Sequence, residues 1–94
     1  MKVMISQPML GRSNEEIKKE REELVNELTK VGYEVVNTIF DLGEDATPLN
    51  YLSKSIDTMS DVDVVIFMPG WENARGCRIE FEVATKYGKL VKCL

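Results

Sequence analysis

The sequence predicts an α/β domain of the flavodoxin-like kind, a three-layer α/β/α sandwich on a parallel sheet of about four strands in the order 2-1-3-4. Three observations predict it. Short apolar runs alternate with amphipathic helical patterns along the whole chain, in the order β-α-β-α-β-α-β. The second run begins within two residues of the first helix, and so short a return implies a right-handed crossover between parallel strands. With 94 residues there is material for one core, so residues 1–94 are expected to form a single domain.

Val3 to Ser6 reads as a buried first strand, followed by a loop from Gln7 to Arg12 in which Pro8 and Gly11 favour a turn. Ser13 and Glu16 have the spacing of a capping box. Ile17, Leu24, Val25, Leu28 and Val31 then recur at helical spacing, and Gly32 stands where the helix should stop. Tyr33 to Phe40 is expected to be the second strand, carrying Val35, Val36, Ile39 and Phe40. An acidic loop from Asp41 to Ala46 leads to Thr47-Pro48, an N-cap with proline at the first helical position. Leu49, Leu52, Ile56 and Met59 line one face of that helix. Asp63 to Met68 predicts the third strand, Gly76 to Tyr87 the third helix with Gly88 as its stop, and Lys89 to Leu94 the last strand.

Composition narrows the function. The formal charge is −4, which argues against a broadly basic surface and against polymeric nucleic acid as partner. No apolar run approaches ~18 residues, so no membrane span is expected, and the N-terminus lacks a signal-peptide pattern. There is no histidine, and Cys77 and Cys93 lack metal spacing, which excludes zinc catalysis and histidine triads. A cytoplasmic protein with reduced thiols and no metal or cofactor is the expectation. Neither a G-x-G-x-x-G turn nor a P-loop follows the first strand; a flavin loop has only Ser6, Gly11 and Ser13 in its favour.

Strand order 2-1-3-4 puts the topological switch point between strands one and three. Their carboxyl ends lead into Ser6-Gln7-Pro8 and Met68-Pro69-Gly70, so these loops should face each other across the ligand crevice. Gly76 and Cys77 fall in the first turn of the third helix, where unpaired N–H groups favour an anion, and Arg75 and Arg78 add charged donors. The plainer alternative is a pair of solvated arginines. Trp71 is able to stack on a base or to anchor the core. Cys77 has no base partner and reads as a small packed residue. Glu80, one turn inside the helix, is expected to have a lowered pKa through the helix dipole and the arginines, which suits a nucleophile. Its alternative is an exposed helix glutamate like Glu82.

These residues resemble a known family. Lys2-Val3-Met4-Ile5-Ser6-Gln7-Pro8-Met9, Val62-Asp63-Val64-Val65, Pro69-Gly70-Trp71-Glu72-Asn73 and Gly76-Cys77-Arg78-Ile79-Glu80, with Ala84 and Gly88-Lys89, are similar to the nucleoside 2-deoxyribosyltransferase-like superfamily. Within it they most resemble a branch of small bacterial and phage proteins with a G-W-E-N-S-R-G-A-x-x-E signature. The resemblance covers nearly the whole chain. It implies that Glu80 attacks C1′ of a deoxyribose and that the sugar passes to another base or to water. It also implies sites completed across subunits, hence a homo-oligomer, most simply a two-fold dimer. Three family active-site positions differ: a tyrosine position holds Met4, an aspartate position Ser55, and an acid position Ala74.

The resulting expectation is a protein that binds a nucleoside or nucleotide and cleaves or transfers at its N-glycosidic bond, with Glu80 catalytic. Ser6, Gln7, Pro8, Arg12, Gly70, Trp71, Asn73, Arg75, Gly76, Cys77 and Arg78 are the candidate substrate-binding residues. The rival expectation is a catalytically inactive nucleotide-binding or sequestering module.

Overall fold

The computed structural model describes residues 1–9 and 11–94; Leu10, read above as part of the first loop, lies outside them. Four strands, β1 (Lys2–Ser6), β2 (Glu34–Val35), β3 (Val64–Phe67) and β4 (Leu90–Cys93), form one parallel sheet in the order β2-β1-β3-β4. The helices are α1 (Asn14–Lys30), α2 (Pro48–Met59) and α3 (Arg75–Lys86), with a short 3₁₀ turn over Trp71–Asn73 before the last. The predicted architecture and strand order are those observed. No described helix is long and apolar enough to cross a membrane.

β1 is central and buried on both faces, as parallel strands covered by helices are. Met4 packs with Val65 and Phe67 of β3 into an apolar cluster that also takes in Met59, Val62, Cys77 and Ala84. Trp71 stacks on Phe81 with ring centroids 4.5 Å apart, and Phe67 lies 5.4 Å from each. Of the two readings of Trp71, the core anchor is the one its packing satisfies.

The helix ends follow their local chemistry. Ser13 accepts from the Glu16 N–H at 3.2 Å, but the Glu16 carboxylate turns to Arg12, so only half of the expected capping box forms. Thr47 and Asn50 make both halves at the start of α2. Gly32, at φ +95°, closes α1 in a Schellman turn, with Tyr33 N–H bonded to the Leu28 carbonyl at 3.0 Å.

The second strand corrects the sequence reading. Tyr33 to Phe40 was expected to be extended and paired, whereas ladder pairing covers only Glu34–Val35. The Met1 and Val3 carbonyls accept from Glu34 and Val36 N–H in ordinary parallel fashion. The next carbonyl along, Ile5, instead accepts from the Thr38 hydroxyl at 3.1 Å and from Arg21 Nη2 at 3.3 Å. A side chain and a guanidinium occupy the place of the ladder bond, so the chain leaves the sheet there.

Candidate active site

The two loops at the switch point do meet. Met68 N–H donates to the Ser6 carbonyl at 3.0 Å, the last bond before β1 and β3 diverge. Gly70, at φ +91°, presents its bare Cα side to Pro8: a Cβ there would lie 3.6 Å from Pro8 Cγ. Beyond them α3 begins at Arg75, and its N-cap residue, Ala74, offers no side-chain cap. The first intrahelical bond is Arg78 N–H to the Ala74 carbonyl, so the N–H groups of Arg75, Gly76 and Cys77 have no acceptor among the described residues. Arg75 and Arg78 are exposed beside this turn and make no ion pair among those residues.

Cys77, Glu80 and Ala84 are spaced by three and four, which puts them on the inner face of α3. Glu80 is therefore only 8% exposed, and the exposed-glutamate alternative fails. Glu82, on the outer face, pairs with Lys86 at 2.7 Å in the ordinary surface manner. Ser6, on the last residue of β1, is 2% exposed and lies beside both the Glu80 carboxylate and the Cys77 thiol. It is close enough to favour their charged forms, yet its Oγ meets good hydrogen-bond geometry with no group among the described residues. A buried, unpartnered hydroxyl thus sits between a carboxylate and a helix N-terminus.

The expected lowering of the Glu80 pKa is overturned. Burial raises it above the ordinary carboxylate value, and the Ser6 hydroxyl and the Arg21 charge only partly oppose that. The cause is geometric. Arg75 and Arg78, expected to stabilise the charge, stay at the surface where solvent screens them, whereas the carboxylate is buried beside Ser6 of β1. The Cys77 thiol is likewise pushed up by burial and is no activated nucleophile.

Other candidates are brought near the crevice but are already engaged. Gln7 accepts from Arg21 Nε at 3.0 Å through Oε1 and donates to the Ile17 carbonyl at 3.0 Å through Nε2. Both ends of its amide face protein, so it braces the loop. Arg12 pairs with Glu20 and, at 3.9 Å, with Glu16. Met4 is fully buried in the apolar cluster, and Asn73 and Pro69 are exposed at the rim. An open cleft of about 580 Å³ lies elsewhere, lined by Asp45, Asn50, Lys54 and Asp57 of α2 and the loop before it. It contains none of the crevice residues and has more acidic than basic groups, so the switch point remains the better anion site.

Arg21 and Thr38 escaped the sequence reading. Arg21 sits four residues after Ile17 and three before Leu24, in register with the apolar stripe of α1, and is 6% exposed. A charged residue in that register was the available signal.

The fold is of the nucleoside 2-deoxyribosyltransferase-like kind, as a match among solved structures supports. Among solved structures it is similar to the CMP N-glycosidase BcmB of Clostridium botulinum, with 25% identity and a TM-score of 0.69, over 99% of this chain and 67% of that one. By sequence the chain belongs to the family described as a domain of unknown function, DUF4406, which matches residues 1–93. No curated protein matches it.

Proposed function

We propose that this chain binds a nucleoside monophosphate at the switch point and cleaves or transfers at its N-glycosidic bond, with Glu80 as nucleophile. One observation carries the reading: Glu80 is buried beneath the unpartnered Ser6 hydroxyl at the end of β1, in a fold similar to that of a CMP N-glycosidase. The phosphate would bind the N–H groups of Gly76 and Cys77, with Arg75 and Arg78 as charged donors. Arg12 joins them only by leaving Glu20. Pro8 would wall the crevice with Gly70, Trp71 and Asn73, the last three in the Gly70–Glu80 stretch that resembles the signature of the small bacterial and phage branch.

In the reaction, Glu80 forms a bond to C1′ as the C1′–N bond breaks. The electron pair leaves with the base nitrogen, which takes up a proton from solvent. Water, or the nitrogen of a second base, then displaces the carboxylate from C1′, so configuration is retained over two inversions. A burial-raised pKa makes the ionised carboxylate a stronger base and nucleophile while reducing the fraction ionised at low pH.

The test is incubation with ribo- and deoxyribonucleosides and their monophosphates, CMP included, with free base followed by chromatography. Base release that vanishes in Glu80→Ala supports the reading. Tight nucleotide binding without release, unchanged in Glu80→Gln, would sink it and support the silent binding module. Met4 and Ala74 favour that second reading, because neither position offers an acid to protonate the departing base. We further propose that the residues form one domain that pairs as a two-fold dimer in the cytosol, where both free cysteines stay reduced.

A further inference from the structure

Arg21 stands where the apolar stripe of α1 should carry a hydrocarbon, and it is buried there. Its guanidinium is held on three sides. Nε donates to Gln7 Oε1 at 3.0 Å, Nη1 to Thr38 Oγ1 at 2.6 Å and Nη2 to the Ile5 carbonyl at 3.3 Å. All three acceptors are neutral, and no carboxylate pairs with Arg21 among the described residues. A cation buried without a counter-charge is a poorer core filler than leucine, so packing alone does not account for it. What arginine adds is a planar fork, whose donors fix three acceptors relative to one another.

Two of those acceptors stand on either side of Ser6. Ile5 and Gln7 are its neighbours in the chain, and Arg21 grips both from the α1 side of the sheet. Ser6 turns the other way. Met4, two residues earlier on the same face of β1, packs with Cys77 and Ala84 of α3. The backbone here is at the limit of the ladder. On one edge the Ser6 carbonyl takes the Met68 N–H at 3.0 Å, the last bond to β3. On the other edge β2 has left, and the Ile5 carbonyl is held only by Thr38 Oγ1 and Arg21. Gln7 is fixed at its far end too, where Nε2 donates to the Ile17 carbonyl at 3.0 Å. Against this fully bonded network, the Ser6 hydroxyl is the one buried side-chain polar atom without a partner among the described residues.

We propose that Arg21 is a positioning residue for the ligand site. By holding the Ile5 carbonyl and the Gln7 amide it fixes Ser6 between them, with the free hydroxyl presented to a nucleotide's phosphate at the switch point. The role rests on the reading of the switch point as a nucleotide site. It gives the early exit of β2 a purpose, since a longer β2 would cover the carbonyl that Arg21 needs. A lysine in place of Arg21 would keep the charge but not the planar fork.

The experiment has two readouts. The first is amide hydrogen exchange at Met68, bonded to the Ser6 carbonyl, relative to Leu90, bonded to the Asp63 carbonyl at the opposite end of β3. In Arg21→Lys, Met68 exchange should gain about tenfold over Leu90, as for local opening at the end of β1. An unchanged ratio, whether both amides quicken together or neither does, overturns the proposal. The second is affinity for CMP, by calorimetric titration, in a double-mutant cycle of Arg21→Lys and Ser6→Ala. Each single change should weaken binding about tenfold, and the pair little more than either, because a misplaced hydroxyl has nothing further to lose. A pair that loses about a hundredfold, the product of the two, overturns the proposal. Should Arg21→Lys not fold, Gln7→Leu, which removes one arm of the network, takes its place in both measurements. Absence of CMP binding by the wild-type protein would remove the nucleotide reading and this role with it. CMP binding with an unchanged exchange ratio would remove this role alone.

Discussion

Arg21 Nη1 donates to Thr38 Oγ1 across 2.6 Å at the point where β2 leaves β1. The same hydroxyl donates onward to the Ile5 carbonyl at 3.1 Å, so one threonine links the buried cation to the central strand. The arrangement replaces a ladder bond at one edge of the sheet with a buried side-chain network.

Thr38→Val should therefore be costly for a substitution of nearly equal volume. It leaves a buried guanidinium N–H without its acceptor and the Ile5 carbonyl with one donor fewer. A loss of about 2 kcal/mol is expected from an unsatisfied buried partner of a charged group. Urea unfolding at neutral pH measures it, and a change below about 0.5 kcal/mol would show that solvent replaces the hydroxyl freely.

Glu80→Gln should raise the melting temperature at neutral pH. The folded-state pKa of Glu80 is raised, so the folded chain prefers the protonated carboxyl. Its stabilising contribution is full below the ordinary carboxylate value of 4.5 and is lost as pH rises through the raised folded value. Glutamine never ionises and escapes that loss. Melting curves from pH 4 to 8, about the range that spans the transition, should show the variant's advantage growing with pH. An advantage that is constant or larger in acid contradicts the assignment.

Ser6→Ala separates folding from binding. The hydroxyl meets full hydrogen-bond geometry with no group among the described residues and only partly offsets the burial of Glu80, so its removal should change stability by less than about 1 kcal/mol. If it serves the ligand, nucleotide affinity should fall about tenfold, as for one lost hydrogen bond. Calorimetric titration with a monophosphate alongside urea unfolding reads both.

Arg75→Ala with Arg78→Ala should weaken binding of a monophosphate about tenfold or more and leave the corresponding nucleoside nearly unaffected. Both residues are exposed and unpaired among the described residues, so the fold should tolerate the change. Equal weakening of nucleoside and monophosphate would move the phosphate away from the α3 N-terminus.

Much of the fold was legible because it is written in local chemistry. Gly32 and Gly88 mark helix ends through positive φ, Thr47-Pro48 marks a beginning, and the periodicity of each segment identifies its type. The switch point follows from strand order alone, and so does the meeting of Pro8 with Gly70. The second strand was overestimated because Tyr33 to Phe40 has the composition of a strand throughout, and composition does not register a competitor for its hydrogen bonds. Arg21 stands in register with Ile17 and Leu24, a sign that it turns inward, but the many charges around it in α1 mask that sign.

The sequence by itself determined the order of elements, their parallel connection, and the location of Glu80 one turn into a helix that opens on the crevice. Only the tertiary structure decided the state of that carboxylate. Its pKa depends first on how deeply α3 settles against β1, because burial is what raises it. Arg75 and Arg78 are near it in sequence but lie in solvent, which screens them. Arg21, 59 residues earlier by the numbering, is itself buried, so its charge is screened less than theirs and partly opposes the rise.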